Sequence, residues 1–144
     1  MAVDPRIPDL IPHAGAMCLL ECIEFWDDSG ISLTTSTHRD PQNPLAGASG
    51  LRAVHLCEYG AQAMAVHGGL AAQARGEHAL PGMLVSLREV EFHCRFVHGL
   101  DGDLRVEAQR IHDSDSTRQY FIRVTHAGTL LAQGRAVVFA APAS

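Results

Sequence analysis

The chain has 144 residues, of which 47% are hydrophobic and 19% are charged, as expected of a single globular domain with its own core. Its formal net charge of −5 argues against a nucleic-acid-binding protein, because such proteins need a basic surface. No apolar run approaches the roughly 18 residues of a membrane span and no secretory signal is evident, so we expect a cytoplasmic protein without a membrane span.

The first third of the chain predicts two strands and a loop. Residues 17–26 are apolar and are followed by Asp27-Asp28-Ser29-Gly30, a cluster of turn-forming residues, so a strand and a turn are indicated. Residues 31–38 alternate apolar and polar side chains and are rich in Thr, which favours a second strand. Residues 39–50 contain two Pro, two Gly and an Asn and are predicted to form a loop.

One long helix and four further strands complete the predicted pattern. Residues 51–70 lack Pro and have a helical composition, and the strand-like segments that follow are separated by turn residues: 83–97, 104–112, 118–126 and 130–140. Because parallel pairs need long connections, the strands should be mostly antiparallel. The order β-β-α-β-β-β-β predicts a single α+β domain over residues 1–144, with an antiparallel sheet wrapped around one central helix. The ends, 1–9 and 141–144, are expected to be loose.

The positions of cysteine and histidine indicate neither disulfides nor a metal site. The four cysteines include no Cys-x-x-Cys pair and are more typical of reduced side chains packed in the core of a cytoplasmic protein. The nine histidines are scattered, and apart from a weak grouping of His93, Cys94 and His98 they lack the spacing of metal ligands. We therefore expect no bound metal.

The predicted helix carries a narrow polar stripe. Apolar residues occur on nearly every face, which is typical of a buried helix, yet His55, Glu58 and Gln62 fall within an arc of about 60° at about 100° per residue. An unpaired carboxylate in apolar surroundings is unfavourable, so Glu58 should be hydrogen-bonded, protonated or beside a cavity. From this pattern two hypotheses stay open: Glu58 anchors a structural network or an ion pair, or it acts as a general acid.

Three short motifs, which together span most of the chain, resemble those of one family. Glu58-Tyr59-Gly60-Ala61-Gln62 is similar to the Glu-x-x-Ala-Gln run on the central helix of the 3-hydroxyacyl-ACP dehydratases, hot-dog-fold enzymes that act on thioesters of acyl carrier protein (ACP). Residues 12–21, which begin Pro-His, resemble the family's N-terminal segment, and residues 102–107 resemble its Gly-Asp-x-Leu strand opening. His13 is expected to fix the first segment by hydrogen bonding. The longer loop before the helix resembles the divergent aryl-polyene branch.

This resemblance implies a hot-dog dimer with active sites between subunits, either a homodimer or a heterodimer with a second, different subunit. Glu58 occupies the position of the family's helix carboxylate, which protonates the departing hydroxyl group. The run from His38 to Pro44 resembles the family's His-Phe-Pro-x-x-Pro run with one extra residue, so His38 occupies the position of the base that removes the α-proton.

Other groups near the helix start have candidate roles. His55 lies within one turn of Glu58 and is a rival base. Gln62, one turn beyond Glu58, either orients its carboxyl group or bonds to a neighbouring strand. The backbone N–H groups of Ala53 and Val54 are expected to be unpaired at the helix start, where they could hold the thioester oxygen as negative charge develops.

The activity implied by the resemblance is a lyase reaction, the removal of water from a 3-hydroxyacyl thioester on ACP in fatty-acid, polyketide or aryl-polyene synthesis. No cofactor is implied beyond the phosphopantetheine arm that carries the substrate. All eleven basic residues are Arg, and a docking surface for acidic ACP would draw on those after the helix: Arg88, Arg95, Arg105, Arg110, Arg118 and Arg123. Two alternatives stay open, a hot-dog acyl thioesterase that uses the carboxylate to activate water and a non-catalytic dehydratase-like partner subunit.

Overall fold

The computed structural model of this protein describes residues 3–11, 15–77, 82–114 and 116–140. Its helices and strands, in chain order, are α1 (Arg6–Leu10), β1 (Cys22–Asp27), β2 (Gly30–Thr35), α2 (Leu56–Ala74), β3 (Gly82–Phe92), β4 (Leu104–Asp113), β5 (Thr117–His126) and β6 (Thr129–Ala140). Short 3-10 turns lie at Gly15–Met17, Thr37–Arg39 and Ala53–His55.

The strands form one antiparallel sheet in the order β1-β2-β4-β5-β6-β3, so that β1 and β3 are its edges. Successive side chains of a strand point to opposite faces, and the alternating pattern of the sequence therefore makes one face apolar. Leu33, Val106, Val124 and Ala132 lie opposite one another on four neighbouring strands, and none is more than 5% exposed. This apolar face packs against α2, which contacts β2, β4 and β5.

The central helix α2 is buried on most of its sides, as its sequence predicts. Its buried side chains include Leu56, Tyr59, Val66 and Leu70, which belong to the same core as the inner face of the sheet. The helix begins later than residue 51 because residues 53–55 form a 3-10 turn, and it continues to Ala74. The predicted hot-dog arrangement of an antiparallel sheet around one long helix is confirmed.

The N-terminal prediction is wrong for residues 6–9, which are ordered rather than loose. They belong to α1, whose Ile7 is fully buried. Helix α1 packs on α2, where a Cβ added at Gly69 would lie only 2.7 Å from Leu10 Cδ2. Residues 1, 2 and 141–144 lie outside the described residues.

Three predicted strands are shorter in the structure than in the sequence pattern. The first begins at Cys22 rather than residue 17, the second ends at Thr35 rather than residue 38, and the third ends at Phe92 rather than residue 97. In the first and third cases apolar residues beyond the strand are buried although they lie in loops, as Leu19, Leu20 and Val97 show. The trimmed segments surround the start of α2.

A histidine in the second half of α2 is fully buried and fully hydrogen-bonded. The Nε2 atom of His67 lies 2.8 Å from the carbonyl oxygen of Asp27, which can only accept, so Nε2 carries the proton. Its Nδ1 atom then accepts the hydroxyl group of Tyr120 at 2.7 Å. Burial lowers the pKa of His67, because a charged ring would lose its hydration.

Within the described part of the chain, no helix has both the length and the apolar character needed to cross a membrane. Among the described residues no disulfide joins the four cysteines, Cys18, Cys22, Cys57 and Cys94, and all four are partly buried. Burial raises the pKa of the Cys18, Cys57 and Cys94 thiols, which favours their protonated form.

The buried His67 predicts a loss of stability in acid. Because its pKa is lowered in the folded protein, the unfolded chain takes up a proton first as the pH falls. The contribution of His67 to stability should be constant above a pH of about 6.5 and should fall below it by up to about 1.4 kcal/mol per pH unit. Urea unfolding at a series of pH values measures this slope. His67→Gln should have a shallower slope than wild type, whereas exposed His112→Gln should not; equal slopes in all three proteins would contradict the assignment.

Candidate active site

The side-chain amide of Gln62 joins three parts of the candidate site. Gln62 is fully buried, its Oε1 accepts the backbone N–H of Leu19 at 2.9 Å, and its Nε2 donates to the carbonyl oxygen of Met17 at 2.7 Å. The same Nε2 lies 3.5 Å from Oε1 of Glu58, one turn earlier on α2. The amide thus holds the segment before β1 against the helix and also faces the Glu58 carboxyl group.

Glu58 lies in the first turn of α2, and its side chain is partly exposed. It therefore differs from Tyr59 and Gln62, its fully buried neighbours in the motif. A carboxyl group at this boundary can be reached from outside the core while one oxygen stays within reach of the Gln62 amide. This placement agrees with the expectation that Glu58 is hydrogen-bonded, and its role as an acid stays a prediction.

His55 caps the start of α2 and lies three residues before Glu58, on the same side of the helix. Its ring is partly buried, and its Nδ1 accepts the backbone N–H of Arg52 at 3.2 Å. In a neutral ring one nitrogen carries the proton, and the bond to Arg52 leaves that proton on Nε2. His55 thus presents a hydrogen-bond donor at Nε2, and it needs a change of tautomer to act there as a base.

His38 lies in the 3-10 turn after β2 and is only 1% exposed. Its Nε2 lies 2.8 Å from the carbonyl oxygen of Leu100, so the proton of the neutral ring is on Nε2. Its Nδ1 is buried and has no hydrogen-bond partner among the described residues. Burial lowers the pKa of His38, chiefly because the charged ring would be desolvated, and the ring is therefore neutral near pH 7.

The prediction for the backbone N–H of Ala53 is wrong, because this group is not free. It donates to the carbonyl oxygen of Arg95 at 2.9 Å, within a short pairing of residues 51–53 with residues 95–97. That pairing is closed by the N–H of Val97, which donates to Leu51 at 2.9 Å. Val54, in the middle of the 3-10 turn, has a side chain that is 54% exposed, and the role of its N–H stays a prediction.

Tyr59 was not identified as a site residue from the sequence, where it fills a variable position of the helix motif. Its hydroxyl group lies 2.9 Å from Thr37 Oγ1 and accepts the side-chain amide of Asn43 at 3.0 Å. Thr37 Oγ1 also donates to the carbonyl oxygen of Leu19 at 2.6 Å. A tyrosine on an otherwise apolar helix is a signal for such a network, because a buried hydroxyl group needs partners.

A small apolar groove, with a cavity volume of about 10 Å³, lies beside the start of α2. Leu56 and Cys57 of the helix form one side, and the rest of the lining comes from three strands: Val90, Phe92, Ile122, Val124, Ala132, Gln133 and Gly134. Cys57 therefore faces this groove, next to Glu58 in sequence. Among the described residues no group of three or more His, Cys, Asp or Glu side chains could hold a metal ion. His13 lies outside the described residues.

A six-stranded antiparallel sheet around one long helix defines a hot-dog protein, and Glu58 lies on that helix with its carboxyl group partly exposed. The chain belongs to the ApeP-like family, since the family model described as ApeP dehydratase matches residues 5–144. This confirms the resemblance to the aryl-polyene branch of hot-dog dehydratases. A comparison with curated protein sequences finds no match.

Solved structures share the fold. The dehydratase heterocomplex ApeI:P from Xenorhabdus doucetiae superposes with a TM-score of 0.83 at 24% identity, covering 94% of this chain and 91% of that chain. A hypothetical thioesterase with coenzyme A from Streptococcus pneumoniae TIGR4 has a TM-score of 0.60 at 15% identity, covering 83% and 84%. The E. coli PaaI protein from the phenylacetic acid degradation operon has a TM-score of 0.59 at 15% identity, covering 85% and 80%.

The bonds of Gln62 predict a large loss of stability on its replacement. Gln62→Leu would leave the N–H of Leu19 and the carbonyl of Met17 without their partner, and each buried polar group left unpaired costs about 1–3 kcal/mol. For two such groups we expect a total loss of about 2–6 kcal/mol in the free energy of unfolding, measured with urea. Gln73→Leu, at an exposed position of the same helix, is the control, and a loss no larger than that of the control would show that these bonds contribute little.

Proposed function

We propose that this chain removes water from 3-hydroxyacyl thioesters carried on ACP, with Glu58 as the acid, and that it does so paired with a second hot-dog subunit. Membership of a dehydratase family supports the reaction type. The observation that carries the proposal is the partly exposed Glu58 carboxyl group, set on a buried helix within 3.5 Å of the Gln62 amide.

The reaction needs three contributions. A base removes a proton from the carbon next to the thioester carbonyl, and the electrons of that C–H bond form the new double bond. The C–O bond to the hydroxyl group breaks, and the leaving oxygen takes a proton from the Glu58 carboxylic acid and departs as water. Negative charge that develops on the thioester oxygen requires a hydrogen-bond donor, and the Nε2–H of His55 is a candidate on the same side of the helix as Glu58.

At the site, the described part of this chain has no base with an accessible lone pair. The free lone pair of His38 is enclosed, and that of His55 is taken by Arg52. A second subunit at the site would supply it. Because neither lone pair is accessible, the structure also favours a second candidate function, in which the chain supports catalysis by a different subunit and is inactive alone.

The edge of the sheet supports the pairing of subunits. β3 is an edge strand, so the backbone groups along its outer side have no neighbouring strand within the described part of the chain. Leu84 and Phe92 on this strand are 42% and 41% exposed, and Phe96 just beyond it is 37% exposed. An exposed strand edge with apolar side chains is suited to the addition of a second sheet, in a homodimer or a heterodimer.

Two arginines at the start of α2 are suited to the phosphate of a phosphopantetheine arm. Arg52 and Arg95 are exposed and lie on the two chain segments that pair before the helix. Of the arginines expected from the sequence to dock ACP, Arg105 and Arg110 bond to Glu24 and to the backbone of Asp28 instead. The ACP partner and a cytoplasmic location remain parts of this proposal.

Replacement of Glu58 tests the proposed acid. Glu58→Gln keeps the shape of the side chain and its contact with Gln62 but has no proton to donate, so the rate of enoyl product formation should fall at least about 100-fold. A synthetic 3-hydroxyacyl thioester is assayed by chromatography, with the chain alone and with a second hot-dog subunit present; Glu77→Gln, at an exposed position after the helix, is the control. Release of the free acid would indicate a thioesterase, and an unchanged rate in Glu58→Gln would exclude Glu58 as the acid.

Replacement of Arg52 and Arg95 tests the ACP contact. Two exposed ion pairs of about 0.7 kcal/mol each correspond to roughly a tenfold loss in kcat/KM for an ACP-bound substrate in the double alanine variant. The same variant should turn over an N-acetylcysteamine thioester, which has no phosphate, at the wild-type rate. Arg75→Ala, at an exposed position after α2, is the control. Equal losses on both substrates would argue against a role in carrier binding.

A further inference from the structure

The loop between β3 and β4 is held in place by histidines from two other parts of the chain. His38, in the turn after β2, donates from Nε2 to the carbonyl oxygen of Leu100 at 2.8 Å. His126, at the end of β5, contacts the carbonyl oxygen of the next residue, Asp101, also through Nε2. Contacts from these two histidines thus fix two consecutive carbonyl groups of the loop.

The same loop holds the chain segment that enters α2. His98, within the loop, accepts the backbone N–H of Leu51 at Nδ1, over 3.1 Å. Its ring lies so close to Gly50 that a Cβ at that position would overlap it, and the φ of +100° at Gly50 is one that side chains rarely allow. Arg52 follows Leu51 directly, and its backbone N–H donates to Nδ1 of His55. The position of the loop therefore determines where the helix start and its polar groups lie.

The geometry of His38 is that of a support and not of a base. A general base must reach the substrate with a free lone pair, directly or through one water molecule. The ring of His38 is 1% exposed, its Nε2 is committed to Leu100, and the remaining lone pair on Nδ1 is enclosed. The turn that carries it is fixed further by Asn43, which donates to the carbonyl oxygen of Thr37 at 2.9 Å.

We propose that His38 is a positioning residue, which holds the β3–β4 loop and, through His98, the start of the helix that carries Glu58, and that it does not take the substrate proton. The catalytic part of this inference rests on the proposed function. Its structural part, the link from His38 through Leu100 and His98 to Leu51, can be measured without any turnover.

The test compares two substitutions at this one position. His38→Gln places an amide donor close to where Nε2 lies but offers no base, whereas His38→Ala removes the donor as well. The proposal expects His38→Gln to keep dehydration within about threefold of wild type, with an unchanged pH profile of kcat/KM, since no titrating group of the reaction is lost. His38→Ala should lower activity strongly. Exposed His112→Ala is the control and should behave as wild type.

Hydrogen exchange of the backbone amides, followed by NMR, is the second measurement. His38→Ala should speed exchange of the Leu51 amide by about tenfold or more, because the loop that bonds it is released, while His38→Gln should not. If the wild-type chain shows no dehydration even with a second hot-dog subunit present, the proposed function fails while this exchange result still decides the structural link. A loss of more than about 100-fold in His38→Gln, with exchange of Leu51 unchanged in both variants, would overturn the proposal and identify His38 as the base.

Discussion

The burial of α2 on most of its sides is the constraint on which the rest of the structure depends. Every polar side chain on such a helix must find a partner, since leaving one unpaired in the core is unfavourable. Three do so with three different segments: Gln62 bonds to the backbone of residues 17–19, Tyr59 to the turn and loop after β2, and His67 to Asp27 and Tyr120. The helix thereby fixes the N-terminal segment, the loop and two strands through hydrogen bonds as well as through packing.

Glu58 and His55 are the polar side chains near the helix start that this network leaves partly exposed. Their position follows from the pairing of residues 51–53 with 95–97, which turns the chain into the helix and also occupies the Ala53 N–H. The groups at this boundary are a carboxyl group and an imidazole N–H donor. In the proposed function they serve as the acid and the donor, and a second subunit supplies the base.

Periodicity was enough to predict the sheet and the helix, because their burial patterns repeat along the chain: Ile31 and Leu33 alternate in β2, and α2 is apolar all round. Helix α1 could not be predicted this way, since its five residues are held by packing on α2 and not by local preference. The hydrogen bond of the Ala53 N–H depends on Arg95, which is 42 residues away along the chain. The burial of His38 depends on its contact with Leu100, which is 62 residues away. The helix motif indicated Glu58 and Gln62 because both lie on one element, whereas residues on separate loops carry no such pattern.

The strand at the sheet edge is not uniform along its length. Its pairing with β6 is irregular between Leu84 and Ser86 and again between Arg88 and Glu91, where Glu89 has a φ of 53°, so the strand is divided into three parts. Such bulges bend a strand and disturb its ladder. A further strand that adds to this edge can therefore keep a regular register only within each part. The length of any continuous shared ladder is in this way encoded in two irregular points of the backbone, independent of the side chains that meet across it.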